Sequence, residues 1–178
     1  MEATLGPAAT KFVVHWGEMG TRWGVNRTVA QIHALLYISP RPLNAEEIAQ
    51  TLSVARSNVS TSLRELDRWG IVKVSHVLGD RRDYFESLQD TWEMIRLILE
   101  ERKRREIDPT LPVLEACLEE CETGEPVDPQ VSERLRNMLG LFHTVDAWYR
   151  DIMSLSGPEL KRLVGMRQKV RKLLRFKG

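Results

Sequence analysis

Asn44-Ala45-Glu46-Glu47-Ile48-Ala49-Gln50-Thr51-Leu52-Ser53-Val54-Ala55-Arg56-Ser57-Asn58-Val59-Ser60-Thr61-Ser62-Leu63-Arg64-Glu65-Leu66-Asp67-Arg68-Trp69-Gly70 is the stretch that decides the fold. Asn44 can accept a hydrogen bond from a backbone N–H three residues on, and Glu47 stands where a capping-box carboxylate reaches back. A helix over Ala45 to Leu52 follows, with Ile48, Ala49 and Leu52 on one face. Ser53 and Val54 break the pattern. A second helix runs from about Ala55 to Trp69, and Gly70 is its stop, because the residue past a last turn often needs a positive φ.

On the second helix, Ala55, Val59, Ser62, Leu63 and Leu66 share one arc, while Arg56, Ser57, Ser60, Thr61 and Arg64 share another. The first arc packs. The second carries no acid before Glu65, whereas a merely solvated face mixes both signs. Arginine, serine and threonine donate to phosphates and purine edges, and a helix fits the major groove. With Asn58 in the first turn, Arg56, Ser57, Ser60, Thr61 and Arg64 are the candidate DNA contacts.

Downstream, Ile71 to Val77 alternates with β-branched residues, Gly79-Asp80 supplies a tight turn, and Arg82 to Leu88 returns antiparallel. Arg81 and Arg82 stand at or just beyond the tip, from which an arginine reaches a minor groove or flanking phosphates. The same pair can also serve Asp80 and Asp83 as ionic partners. Together these segments read as a helix-turn-helix with a wing, spanning residues 41–88.

This pattern resembles the winged-helix core of MarR-type transcriptional regulators. The likeness is carried by Leu43 to Ala49, Leu52 to Ser60 and Leu63 to Val72, and by Gly79-Asp80-Arg81-Arg82, which is similar to a wing whose Asp-x-Arg pattern places an arginine at the minor groove. Upstream, Gly20 to Leu36 resembles the GbsR branch of that group. The resemblance covers about residues 12 to 90 and implies a DNA-binding repressor. The branch implies a quaternary ammonium effector, choline or a relative.

The 178 residues suffice for one domain with a good core plus an extension. No apolar run reaches the roughly 18 residues of a membrane span, and Met1 to Ala9 lacks the character of a signal peptide, so the expectation is a cytoplasmic protein with no membrane partner. Nucleotide loops, nucleophile elbows and His-Glu-x-x-His are all missing from the sequence, which argues against an enzyme and against any cofactor. Cys117 and Cys121, one turn apart on one helix face, are poorly placed for a disulfide. They read as two small half-buried residues, with metal or redox ligation the alternative; four scattered histidines offer no zinc spacing, so no metal site is expected.

A net charge of +1 conceals segregation. Residues 89–135 hold 6 basic and 13 acidic side chains (net −7), residues 158–178 hold 8 basic and 1 acidic (net +7), and residues 41–88 hold 7 of each. A neutral reading head argues against strong nonspecific DNA binding by a monomer. Its acids Glu46, Glu47, Glu65 and Asp67 are expected off the groove-facing arc. The basic tail from Lys161 to Lys177 is expected to pack on an acidic middle segment rather than on DNA, because Leu160, Leu163, Val164, Val170, Leu173 and Leu174 form an apolar stripe.

The remaining chain is helical: about Gln89 to Arg105 up to Asp108-Pro109, about Leu111 to Glu122, about Pro129 to Leu155, and a last helix after Gly157-Pro158. The expected architecture is mainly α with a small β wing. It comprises N-terminal helices (1–40) that support the core and the dimer, the winged helix-turn-helix (41–88) and a helical dimerisation and effector region (89–178). Leu139, Phe142, Val145, Tyr149, Leu163 and Val170 are expected at a two-fold interface, which would match palindromic operator half-sites on double-stranded DNA. Trp16, Trp23, Trp92, Trp148 and Tyr149 are the aromatic candidates for a cationic effector, with core packing as the competing reading. A winged-helix protein–protein adaptor without DNA binding is the alternative function.

Overall fold

In the computed structural model, residues 5–124 and 127–166 are described. They divide into two compact units, Met1–Ile98 and Leu99–Gly178. The first contains α1 (Pro7–Arg22), α2 (Arg27–Ile38), β1 (Leu43–Asn44), α3 (Ala45–Leu52), α4 (Arg56–Arg68), β2 (Val72–His76) and β3 (Asp83–Ser87), and α5 (Thr91–Arg102) begins in it. The N-terminal helices share one core with the winged helix-turn-helix: Val13, Val29, Ile32, Leu36, Ile48, Val59, Leu66 and Ile71 are buried together. Apolar burial of this kind contributes about 25 cal/mol per Å2 removed from water. A Cβ on Gly20 would stand 2.5 Å from that of Ala30, so a hydrogen atom there is what lets α1 and α2 approach.

The expected cap of α3 is present in full. Asn44 Oδ1 accepts from the amides of Glu46 and Glu47, each at 3.0 Å, and the Asn44 amide donates to Glu47 Oε2 at 2.9 Å. Glu47 also receives Arg41 Nη2 at 2.7 Å, and that partner is the main reason its carboxyl titrates below the usual range. Ser53, at φ 53°, takes a left-handed conformation and turns the chain into α4 within three residues. Gly70, at φ 71°, ends the α4 segment as its position suggested.

The sheet is antiparallel in the order β1-β3-β2, with Val74 opposite Phe85 and Ser75 opposite Tyr84. The two-residue strand β1, pairing Leu43 with Phe85 and Asn44 with Tyr84, was not anticipated; it is too short to alternate. It ties the α3 cap to the wing. Between α1 and α2 the rings of Phe12, Trp16, His33 and Tyr37 follow one another at centroid distances of 5.3, 6.5 and 6.4 Å. His33 is 3% exposed, its Nε2 has no hydrogen-bonding partner among the described residues, and burial pushes its pKa down to about 4.

In the second unit, α5 runs on through a π-helical turn (Lys103–Ile107) to α6 (Thr110–Thr123), α7 (Pro129–Met153) and α8 (Gly157–Gly165). Helix continues two residues past the expected Arg105 because the wider turn carries it to Asp108, whose side chain Lys103 holds. α6 and α7 pack antiparallel: Arg136 pairs with Glu122 at 3.5 Å and His143 with Glu115 at 3.6 Å. Lys103 also pairs with Asp146 at 2.9 Å and lies 5.4 Å above the Tyr149 ring. α8 opens on a capping box, Ser156 with Glu159. No described residue of this unit is fully buried.

Candidate nucleic-acid interface

α4 shows why its sequence splits by arc. Val59, Ser62, Leu63 and Leu66 are buried, while Arg56, Ser57, Asn58, Ser60, Thr61 and Arg64 are exposed. The exposed face borders an open cleft of about 600 Å3 whose other wall is the wing. Arg56, Ser60 and Arg64 line it from α4, Arg81 and Arg82 from the wing, and Val74 and Phe85 form an apolar floor. Helix and hairpin therefore bring four arginines to the border of one cleft. Ser57, Asn58 and Thr61 lie outside that lining, although Thr61 Oγ1 accepts from Arg64 Nη2 at 3.2 Å.

One expectation needs correction. Glu46 and Asp67, expected off the groove-facing arc, both line the cleft, as does Asp83. Asp67 follows Arg56 by eleven residues, which brings a helix almost back to the same angular position. Glu46 approaches Arg56 Nη1 at 3.9 Å; both side chains are more than half exposed, so the pair contributes little.

The wing has an internal brace. Asp80 accepts from the Arg82 amide at 3.0 Å, from Arg82 Nε at 3.0 Å to each carboxylate oxygen, from Arg82 Nη2, and from the Tyr84 hydroxyl at 2.8 Å. These donors, Arg82 first, hold its carboxyl well below the usual carboxylate range. The Arg82 guanidinium also sits 5.7 Å from the Tyr84 ring centre. Arg82 is thus the partner of Asp80, whereas Arg81 forms no ion pair or hydrogen bond with any described residue. The signal was available in the alternation Asp80-x-Arg82-x-Tyr84, three polar side chains two residues apart.

The candidate effector aromatics fall in both units. Trp16, Trp23 and Trp92 belong to the first, with Trp16 inside the ring series between α1 and α2. Trp148 and Tyr149 belong to the second, where Trp148 is 69% exposed and Tyr149 already has Lys103 over its face. Of the expected interface residues, Leu139, Phe142 and Tyr149 are half-buried on the α7 face that also carries Asp146, and Val145 and Leu163 are exposed. Val170 and the basic tail from Arg167 onward lie outside the described residues. Among those residues no group of three or more histidine, cysteine, aspartate or glutamate side chains is placed to hold a metal ion, and no helix is long and apolar enough to cross a membrane.

Residues 23–83 match the model of the MarR family. A crystal structure described as a transcriptional regulator superposes with a TM-score of 0.63 at 23% identity, covering 83% of this chain and 96% of that one. A transcriptional regulator from Thermotoga maritima aligns over 80% of this chain and 92% of its own, at 17% identity and a TM-score of 0.39, too low to carry an argument. No curated protein matches the sequence. The first superposition supports the winged-helix fold.

Proposed function

We propose that the chain is a sequence-specific DNA-binding transcriptional regulator that acts as a homodimer and represses by occupying a palindromic operator. The observation that carries this reading is the cleft in which Arg56, Arg64, Arg81 and Arg82 face one space between α4 and the wing. α4 would enter the major groove with Arg56, Ser60 and Arg64 toward base edges and phosphates, and the wing would bring Arg81 to the adjacent backbone or minor groove. The MarR-family match over the same residues supports it. Likeness to the GbsR branch adds a quaternary ammonium effector such as choline, whose addition is expected to release DNA.

The three acids in the same cleft favour a second reading, a winged-helix adaptor for a protein partner. Selection of duplexes from a random library by the full chain, followed by titration of the winning duplex at several salt concentrations, separates the two. A regulator gives a consensus with two-fold symmetry and a log–log salt slope of several units; an adaptor selects no sequence. In the regulator, Arg81→Ala weakens binding while the fold and oligomeric state are kept. Unchanged affinity would remove the wing from the interface.

A further inference from the structure

The tip of the wing carries a feature that neither the charge pattern nor the fold requires. Val77, Leu78, Gly79 and Asp80 form a hydrogen-bonded turn, the Asp80 amide donating to the Val77 carbonyl at 3.0 Å. Gly79, at φ 85°, occupies the third position; Ser53 is the one non-glycine with positive φ among the described residues, so Leu78 keeps a negative φ. This combination is a type II turn, in which glycine is needed at the third position. Leu78 is the second residue, at the outermost corner, and is 104% exposed, as open as in an extended chain. Val77 beside it is 51% exposed. Such corner positions favour proline and polar residues, and nothing in the chain's own packing uses a leucine there.

The chemistry around the corner limits what can cover it. Asp80 is occupied by Arg82 and Tyr84, and Asp83 stands 3.4 Å from His76 Nδ1. Arg81 remains without a described partner. The tip thus presents an apolar wedge flanked by an uncommitted cation, with Asp80 engaged by Arg82 and Tyr84. The minor groove of DNA offers the complement: apolar sugar edges and base faces between two rows of phosphate, into which proteins insert leucine to unstack a base step.

We propose that Leu78 is such a wedge: as the wing settles beside α4, its side chain enters the minor groove flanking each half-site and opens one base step. The inference rests on the DNA-binding reading above and adds a specificity element to it. Flexible pyrimidine–purine steps would be favoured at the flanking position without any hydrogen bond to a base, because opening them costs less.

The test uses the full chain and the duplex it selects from a random library, with 2-aminopurine placed in the flanking step. For the parent, fluorescence rises on binding, and replacing a flanking TA step by AA weakens the complex. Leu78→Ala touches no packing and is expected to fold as the parent does. It should bind roughly tenfold more weakly with an unchanged salt slope, lose the fluorescence rise and no longer distinguish TA from AA. Leu78→Phe should keep all three properties. A Leu78→Ala protein equal to the parent in affinity, fluorescence and step preference overturns the wedge while leaving the regulator reading intact. Leu78-dependent binding to phosphatidylglycerol vesicles with no such effect on DNA also overturns it and reassigns the tip to a lipid surface. A parent chain that selects no duplex ends the regulator reading and the wedge with it.

Discussion

Arg56 stands at the start of α4 with a single loose ionic contact, 3.9 Å to Glu46, so its guanidinium can exchange that carboxylate for DNA at little cost. Arg56→Ala is expected to cost about 1–3 kcal/mol on the selected duplex if the residue meets a base edge, and less on unrelated sequence. Equal weakening on both would make it a phosphate contact, and titration of the two duplexes side by side decides. His33 makes a separate prediction about stability. Its folded pKa is depressed to about 4 from 6.5 because burial disfavours the charged ring. The unfolded chain therefore takes up a proton that the folded chain refuses as pH falls from about 6.5 toward about 4. The contribution of neutral His33 is complete above that window and is lost on acidification through it, a change of up to roughly 3 kcal/mol. Urea unfolding across this range should show the slope in the parent and a flatter profile in His33→Leu; identical profiles would remove His33 as its source.

At the scale of elements, α3 depends on a cap that is itself a strand residue. Asn44 is 3% exposed, holds two amides of α3 and pairs with Tyr84 of β3, so the helix start and the wing share one anchor. Asn44→Ala should cost about 1–2 kcal/mol in denaturant unfolding and loosen the wing as well. Amide exchange that quickens in α3 alone would break that link. What the sequence disclosed follows from periodicity and capping chemistry: α3 matches its expected bounds, α4 differs by one residue at each end, and the hairpin lies inside its expected runs. Local pattern is strong there because each side chain's role is set by neighbours three or four residues away, or two in a strand. Long-range geometry was not legible. β1 exists because Phe85 and Tyr84 pair with it, and Glu46 lines the cleft because α3 packs beside α4 there. The arginines that line the cleft could be named in advance; that Arg82 is held by Asp80 while Arg81 has no described partner is what the folded turn adds.

For the molecule as a whole, α7 carries the prediction of a dimer. Its half-buried face, Leu135, Leu139, Phe142 and Tyr149, lies toward the side on which Asp146 meets Lys103, while Val131, Met138, Leu141, Val145 and Trp148 remain exposed at helical spacing. Soluble monomers rarely leave so continuous an apolar stripe open. Sedimentation of the full chain should therefore give one species near twice the 20.5 kDa chain mass. Leu141→Asp with Val145→Asp should shift it to the monomer, and a parent chain that sediments as a monomer would end the dimer proposal.

The unequal burial of the two units has a thermodynamic consequence. The first unit owns a core of buried side chains, whereas no described residue of the second is fully buried. In the proposed dimer, the second unit would then be ordered by mass action: subunit association and the folding of that unit become one equilibrium, and its melting temperature climbs with chain concentration. The melting of the first unit, whose core lies within it, would depend less on concentration. In a cell, the number of chains present would set how many reading heads are joined in pairs, so occupancy of an operator would rise more steeply than in proportion to the amount of protein.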